Sequence, residues 1–142
     1  MMPVAKATTT TVIPALRYRD ARRAIEFLCD AFGFERQAVY EGEGGVIEHA
    51  QLTFGNGMVM LGSERDTAYG RLMKSPREAG GGTMSNYLVI TDADAHYARA
   101  KAAGAEIVIE LATQDYGGRD YTARDPEGHI WTFGTYDPWA GS

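Results

Sequence analysis

The sequence predicts an α+β fold built from two tandem βαβββ modules, and three recurring features indicate it. Each module has a strand-like run ending in an aspartate that can cap a helix, a glycine that can end that helix, and a later turn between strands. The matching positions are Asp20 and Asp92, Gly33 and Gly104, and the turns Asn56-Gly57 and Glu127-Gly128. A repeat of about 71 residues that occurs only twice is one supersecondary unit used twice, not a solenoid.

The first module is predicted as a strand over 8–18, a helix, and three further strands. The helix begins at Asp20 and ends at Gly33. Apolar residues recur between them at helical spacing and should form the buried stripe: Ala21, Ile25, Leu28 and Phe32. The three strands are expected over 34–40, 46–54 and 58–62.

The second module repeats this order. Its helix begins at Asp92 and ends at Gly104, and His96, early in that helix, is expected at the surface. The matching buried stripe is Ala93, Tyr97, Ala100 and Ala103. Strands are expected over 105–110, 120–124 and 129–135, with the turn Asp125-Pro126-Glu127-Gly128 before the last of them.

The length of 142 residues suits a single domain, spanning 1–142. Within it we expect module one at about 8–62, a linker at 63–83, module two at about 84–136, and a C-terminal tail at 137–142. A polar connection as long as this linker is uncommon in a compact domain. It is either a plain connection or a lid over a cleft between the modules.

Composition and charge argue against several classes of partner. The net charge is −5 and no basic stripe is present, which argues against nucleic acid. No apolar run approaches the roughly 18 residues that span a bilayer, so no membrane association is expected. Cys29 is the only cysteine, and residues 1–6 lack the apolar stretch of a signal peptide. Together these features predict a cytoplasmic protein.

Strand alternation separates the side chains that could line a cleft from those that pack under the helices. In the strand over 46–54, the apolar set that includes Val46 is expected under the helix, with Glu48 as an exception. The other face then carries His49, Gln51 and Thr53. The equivalent positions of the second module are Asp120, Thr122 and Arg124. Two such faces could line a shared cup, or they could simply be exposed to solvent.

His49 has the one side chain in this set whose ordinary pKa suits proton transfer at neutral pH. Asp120 could orient it as a general base if the modules bring the two together. The alternative is a structural histidine that hydrogen-bonds a neighbouring strand or a ligand. Arg17 and Arg124 could pair with a carboxylate or phosphate of a ligand, or form salt bridges with Asp120 or Glu48.

The repeated unit and its ending, Arg124-Asp125-Pro126-Glu127-Gly128-His129-Ile130-Trp131, resemble the glyoxalase/bleomycin-resistance/extradiol-dioxygenase superfamily, also called vicinal oxygen chelate proteins. The pieces Ile47-Glu48-His49-Ala50 and Trp131-Thr132-Phe133-Gly134-Thr135-Tyr136 are similar to small glyoxalase-like members. The resemblance covers nearly the whole chain, from Val12 to Tyr136. It implies two modules forming a U-shaped mixed sheet around a cup, and a homodimer.

The resemblance also implies a divalent metal held at four positions facing the cup. By motif these positions fall on Ile13, Leu61, Ser85 and Thr132, and Tyr87 shares the strand alternation of Ser85. Ile and Leu cannot coordinate a metal, and neutral Ser and Thr are poor ligands. We therefore expect no metal and no other cofactor. An unusual site built from His49 and Asp120 is the alternative, although two ligands are too few.

Two functions follow from these expectations. The first is metal-independent binding of a small molecule, an antibiotic or a metabolite, as the resemblance to bleomycin-resistance proteins implies. The expected ligand-binding residues are Arg17, His49, Gln51, Thr53, Leu61, Ser85, Tyr87, Asp120, Thr122, Arg124 and Thr132. The second is a glyoxalase-like lyase or isomerase, or a dioxygenase-type enzyme. It would use His49 and Asp120 in proton transfer, or a metal site that the sequence does not reveal.

Overall fold

The computed structural model describes residues 8–140, where eight strands form two four-stranded mixed sheets with three short α-helices. The strands are β1 (Ala15–Tyr18), β2 (Glu35–Glu41), β3 (Ile47–Phe54), β4 (Gly57–Ser63), β5 (Ser85–Val89), β6 (Glu106–Thr113), β7 (Arg119–Arg124) and β8 (Ile130–Gly134). The helices are α1 (Ala21–Phe27), α2 (Pro76–Ala79) and α3 (Ala93–Ala102). The predicted α+β fold of two tandem βαβββ modules is confirmed.

Two of the expectations concern residues that lie outside this range. They are the missing signal peptide, which rests on residues 1–6, and the last two residues of the predicted tail. Among the described helices, none combines the length and the apolar character that crossing a bilayer requires.

The first compact unit runs up to Cys29 and continues over Gly33–Lys74. Its sheet has the order β1-β4-β3-β2, with β1 parallel to β4 and the other pairs antiparallel. The predicted strand over 8–18 is shorter than expected, because ladder pairing begins only at Ala15. Pro14 has no N–H to donate, so it contributes only its carbonyl, which accepts from the amide of Met60 at 2.9 Å.

Helix α1 begins as its sequence predicts. The Asp20 side chain accepts a hydrogen bond from the amide of Arg23 at 3.1 Å, which makes it the N-cap. All four residues of the predicted stripe are buried: Ala21, Ile25, Leu28 and Phe32. After Phe27 the helix widens into a π-helical turn, Leu28–Phe32, and Gly33 ends it with a φ of 90°.

Strand β3 contains a bulge that alters the predicted alternation. Ile47 and His49 pair with consecutive residues of β2, so Glu48 is an extra residue on the bulged strand. Ile47 is therefore buried together with Ala50, and the expectation that Val46 fills this core position is wrong. The same bulge explains why Glu48 departs from its apolar neighbours, since its side chain leaves the core.

The second compact unit comprises Asp30–Phe32 and the chain from Ser75 onward. Its sheet has the order β5-β8-β7-β6, which repeats the connectivity and strand directions of the first. Asp92 caps α3 by accepting from the amide of Ala95 at 3.0 Å. The expectation that Ala103 is buried is wrong, because α3 ends at Ala102 and Ala103 lies beyond its last turn, exposed.

Aromatic rings form the core of the second unit. Trp131, Tyr121 and Phe133 are fully buried, and the ring of Phe32 lies 4.7 Å from that of Phe133 and 5.9 Å from that of Trp131. Tyr121 and Phe133 also stack, with ring centroids 5.6 Å apart. Because of these contacts, the end of the first helix, Asp30–Phe32, belongs to the second compact unit.

The segment between the modules has local order. It contains a 3-10 turn, Gly70–Leu72, and the short helix α2, capped by Ser75. In the first unit, Tyr69 covers the guanidinium of Arg17, whose central carbon lies 4.9 Å from the ring centroid. Arg65 also forms an ion pair with Glu48 at 3.4 Å. These contacts tie the start of the segment to the first sheet.

Candidate functional site

The polar face of the first sheet carries four of the predicted site residues. His49, Gln51 and Thr53 alternate along β3 with the buried Ala50 and Leu52. Arg17 shares this face because it pairs with Gly62 of β4 and lies across it. A methyl group on Gly62 would come within 2.6 Å of the Arg17 guanidinium, so any other residue there would require this side chain to shift.

His49 is half-buried and belongs to a chain of side-chain hydrogen bonds. Its Nε2 lies 2.9 Å from the amide oxygen of Gln51, whose own NH₂ group donates to the side chain of Gln37. The amide oxygen can only accept, so Nε2 carries a proton and donates. In neutral His49 the lone pair is then on Nδ1. The ring also stacks on Tyr40, with centroids 6.1 Å apart.

Thr53 lines a groove at the end of β3. The groove has a volume of about 300 Å³ and is lined by neutral side chains that include Ile13, Gln37, Asn56 and Met58. Ile13, one of the four positions mapped to a metal ligand, therefore borders a groove without a charged group in its lining.

The expectation that Leu61 faces the polar side of the sheet is wrong. Leu61 pairs with Leu16 on one side and with Ala50 on the other, and all three side chains are buried. Its neighbour Met60 pairs with Gln51 and occupies the polar face in its place. The physical reason is the register of β4, which is fixed by the apolar pairs of its core face.

In the second sheet, the predicted site residues share one face around a pair of threonines. Thr122 of β7 lies opposite Thr132 of β8, and their hydroxyl oxygens are 2.8 Å apart in a hydrogen bond. Tyr87 of β5 lies opposite Thr132 on the other side. Ser85, two residues before Tyr87, is exposed.

Asp120 is the most buried charged residue on this face, with 9% of its surface exposed. One carboxylate oxygen accepts a hydrogen bond from the side-chain NH₂ group of Gln114 at 2.9 Å, and the other accepts one from the hydroxyl of Tyr116 at 2.6 Å. The hydrogen bond to Asp120, with partial burial and the carboxylate's charge, raises the pKa of Tyr116 to about 12. Tyr116 therefore keeps its proton and acts as a donor.

Gly134 separates Asp120 from Tyr87 on the same face. A methyl group on Gly134 would lie 2.5 Å from the Tyr87 hydroxyl and 2.9 Å from the Asp120 β-carbon. The Tyr87 hydroxyl donates to the backbone carbonyl of Tyr136 at 2.7 Å, and the ring of Tyr136 meets that of Tyr116 edge-on at 5.7 Å. Tyr116 thus contacts Asp120, Tyr87 lies beside it at Gly134, and Tyr136 contacts both of these tyrosines.

Arg124 forms a salt bridge within the protein, which was one of the two predicted alternatives, but its partner is not one of the predicted carboxylates. Its guanidinium contacts Glu106 on the neighbouring strand at 2.8 Å, not Asp120 or Glu48. The pairing of β6 with β7 places Glu106 directly opposite Arg124, which sequence spacing alone does not reveal.

The expectation that His96 lies at the surface is wrong. It is not a surface histidine, since Nε2 donates to the carbonyl of Phe32 at 2.7 Å and Nδ1 lies 2.6 Å from the Tyr121 hydroxyl. Its ring lies 4.3 Å from that of Phe133. Burial lowers the pKa of His96, an effect that the nearby Arg99 reinforces and the bond to Phe32 opposes. These partners are distant in sequence, so helical periodicity gave no signal of them.

The residues at the mapped metal positions do not fit a divalent ion. Neither Ser85 nor Thr132 offers a carboxylate, imidazole or thiolate, and the Thr132 hydroxyl is engaged with Thr122. Leu61 and Ile13 have no donor atom. Over residues 8–140, the structure contains no group of three or more His, Cys, Asp or Glu side chains placed to hold a metal ion.

Comparison with known proteins gives the same family as the motifs. A family model described as "Glyoxalase/Bleomycin resistance protein/Dioxygenase superfamily" matches residues 10–133. An uncharacterized protein of Mycobacterium bovis is 35% identical over 121 residues, which cover 85% of this chain and 80% of that protein. TioX from Micromonospora sp. ML1 is 34% identical with a TM-score of 0.67, covering 87% of this chain and 95% of TioX.

A more distant solved structure shows the fold alone. A mutant of the fosfomycin resistance protein FosX from Listeria monocytogenes is 16% identical with a TM-score of 0.65, over 88% of each chain. Together with the match over residues 10–133, these likenesses lead to one conclusion: the chain belongs to the glyoxalase/bleomycin resistance protein/dioxygenase superfamily.

Proposed function

We propose that this protein binds a small organic molecule through the polar faces of its two sheets, without a metal ion. The hydrogen bond between Thr122 and Thr132 carries the proposal. The resemblance maps Thr132 to a position at which the superfamily's metal-dependent enzymes carry a glutamate. A neutral hydroxyl already paired with another hydroxyl is suited to contact an organic ligand and poorly suited to hold a divalent cation.

The other side chains of these faces support ligand binding. Tyr87 provides an aromatic surface, and Gln51 and Thr122 provide neutral hydrogen-bonding groups. Arg17, covered by the ring of Tyr69, adds a positive charge to the polar face of the first sheet. Apolar and aromatic surface with a few placed polar groups is typical of small-molecule sites.

FosX makes the metal question worth testing directly. Its solved mutant is complexed with Mn(II) and a dihydroxypropylphosphonic acid, so the same fold in that protein accommodates a metal. We propose that this chain differs because its side chains at the mapped positions are not metal ligands.

The first experiment is elemental analysis of protein purified without added metal or chelator. We expect less than about one tenth of an equivalent of Mn, Fe, Ni or Zn, because structural and catalytic sites need three or more strong donors. Thermal unfolding with and without each ion should show no stabilisation, whereas compounds from a library of antibiotics and metabolites should raise the Tm. One equivalent of bound metal, or ligand binding only when Mn²⁺ is present, would contradict the proposal.

A second candidate function is proton transfer by His49, and the Gln37–Gln51–His49 chain favours it. The chain fixes the neutral tautomer, and within residues 8–140 Nδ1 has no hydrogen-bond partner. A held imidazole with an available lone pair is the arrangement that a general base needs. If a turnover is found, His49→Gln should abolish it while ligand affinity changes less than about threefold, and Gln37→Ala should reduce it partly.

A further inference from the structure

We propose that Asp120 with Tyr87, Tyr116 and Tyr136 forms a subsite for the ammonium group of an organic cation. The inference rests on the proposed function and names the chemical class of ligand that the second sheet would take.

The first argument is the charge balance at Asp120. Within the described residues no ion pair involves this carboxylate, although it is nine-tenths buried. The two arginines of its own strand bind other carboxylates: Arg119 contacts Asp94 at 3.1 Å, and Arg124 contacts Glu106 at 2.8 Å. Asp120 is held by two neutral donors instead, so its negative charge is not compensated by a neighbouring cation.

The second argument is the ring surface around the carboxylate. Tyr116 is 61% exposed, Tyr87 41% and Tyr136 39%, which is unusual for three aromatic residues so close together. Their positions are fixed by the hydrogen bonds of Tyr116 to Asp120 and of Tyr87 to the Tyr136 carbonyl. Exposed aromatic faces beside a negative charge attract organic cations, since the face of each ring carries negative electrostatic potential.

The electrostatic environment of the Tyr87 hydroxyl also favours a positively charged ligand. Burial raises the pKa of Tyr87, and the charges of Asp120 and Asp137 raise it further. Both carboxylates therefore act at the Tyr87 hydroxyl, and they disfavour an anionic ligand there. A bound cation would meet attraction from both.

The chemistry favours an organic ammonium over a metal ion. Calcium takes six to eight oxygen ligands and zinc takes four, usually nitrogen or sulfur, whereas this cluster offers one carboxylate whose oxygens already accept hydrogen bonds. An alkylammonium group needs no coordination sphere and gains from contact with ring faces. Gly134 lets Tyr87 and Asp120 lie close to each other, since a side chain at this position would collide with both.

The test compares choline with its neutral isostere 3,3-dimethylbutan-1-ol, which has the same shape without the charge. Titrations of the whole protein would be followed by amide and tyrosine-ring NMR shifts. We expect choline to bind at least about tenfold more tightly than the alcohol, with shifts at Tyr87, Tyr116 and Gly134. Asp120→Asn should remove about tenfold of the choline affinity and leave the weak binding of the alcohol unchanged.

Two variants control this result. Asp115→Asn makes the same change of net charge at an exposed residue of the turn that carries Tyr116, and should alter choline affinity by less than about twofold. Tyr116→Phe keeps the ring and should retain binding, whereas Tyr116→Ala should weaken it about fivefold. Because Tyr116 is exposed, these two variants keep the proposal testable even if Asp120→Asn fails to fold.

The proposal would be overturned by equal affinity for choline and the alcohol, by no binding of choline, or by shifts confined to other residues. If neutral or anionic compounds bind the metal-free protein while choline does not, this inference fails and the proposed function stands. If compounds bind only when Mn²⁺ is added, the proposed function itself fails.

Discussion

The carboxylate of Asp125 accepts a hydrogen bond from the indole nitrogen of Trp131 at 3.0 Å, and both residues are buried. Its other oxygen accepts from the amides of Glu127 at 3.0 Å and His129 at 3.1 Å. One side chain therefore closes the turn before β8 and fixes the largest ring of the core. The motif that most specifically marks the family thus has a structural role in this chain.

We expect Asp125→Ala to lower the free energy of unfolding by about 3 kcal/mol, because it leaves the buried indole N–H and two amides without their acceptor. Asp125→Asn can still accept at one oxygen but not at both, so it should lose about half as much. Urea denaturation measured by tryptophan fluorescence checks both values. Equal stability of the wild type and the alanine variant would show that the carboxylate does not hold the turn.

The two N-caps should contribute similarly, because they have the same geometry in both modules. Asp20→Ala and Asp92→Ala should each cost about 1 kcal/mol, since each leaves a first-turn amide without its side-chain acceptor. The matched controls are Asp20→Asn and Asp92→Asn, which keep a capping oxygen and should cost only a few tenths of a kcal/mol. Thermal and chemical unfolding would measure the differences, and a loss at only one site would contradict the equivalence.

His96 should make stability depend on pH. Its pKa is lowered by burial below the ordinary 6.5, so the unfolded chain takes up the proton more readily than the folded chain. The stabilisation is fully present above pH 6.5 and is lost as the pH falls through the lower pKa of the folded state. Denaturation of the wild type and of His96→Gln across this range would test the prediction. The variant should show a flatter dependence, and parallel curves would exclude His96 as the cause.

Gly134→Ala should disturb the polar face of the second sheet. The added methyl group would lie within 3.0 Å of both Tyr87 and Asp120, so one of them must move. We expect a destabilisation of about 1–3 kcal/mol, as for other overpacked sites, and a change in the NMR shifts of Tyr87. Gly80→Ala meets no atom but is strained by its φ of 86°, so it serves as a control for backbone strain without collision. Unchanged Tyr87 shifts in Gly134→Ala would refute the contact.

Much of the fold could be predicted from local signals. The capping aspartates, the glycines that end the helices and the hairpin residues act through their own backbone, so a single sequence reveals them. The bulge at Glu48 could not be predicted, because it depends on how β2 and β3 pair. It explains both the buried Ile47 and the outlying Glu48, which simple alternation left as exceptions.

The candidate site was predicted less completely, for the same reason. Asp120 and Thr122 were predicted from strand alternation and the repeat, and the regular pairing of β7 with β8 places them on one face. Thr132 was placed by the resemblance to the family. Leu61 was misplaced by one position in β4, and the partners of Asp120 lie in a loop with no periodic pattern. The partners of His96 belong to distant segments. The shared cup between the modules stays a prediction.

Phe32 has a consequence for how the chain could be divided. It belongs to the first copy of the repeat in sequence, yet its ring packs on Phe133 and Trp131 and its carbonyl accepts a hydrogen bond from His96. A fragment starting at Ser75 would expose those rings to water and leave the half-buried His96 without its carbonyl acceptor. Fragment complementation should therefore succeed only if the N-terminal fragment includes Asp30–Phe32. The boundaries of the sequence repeat are then not the boundaries of units that fold on their own.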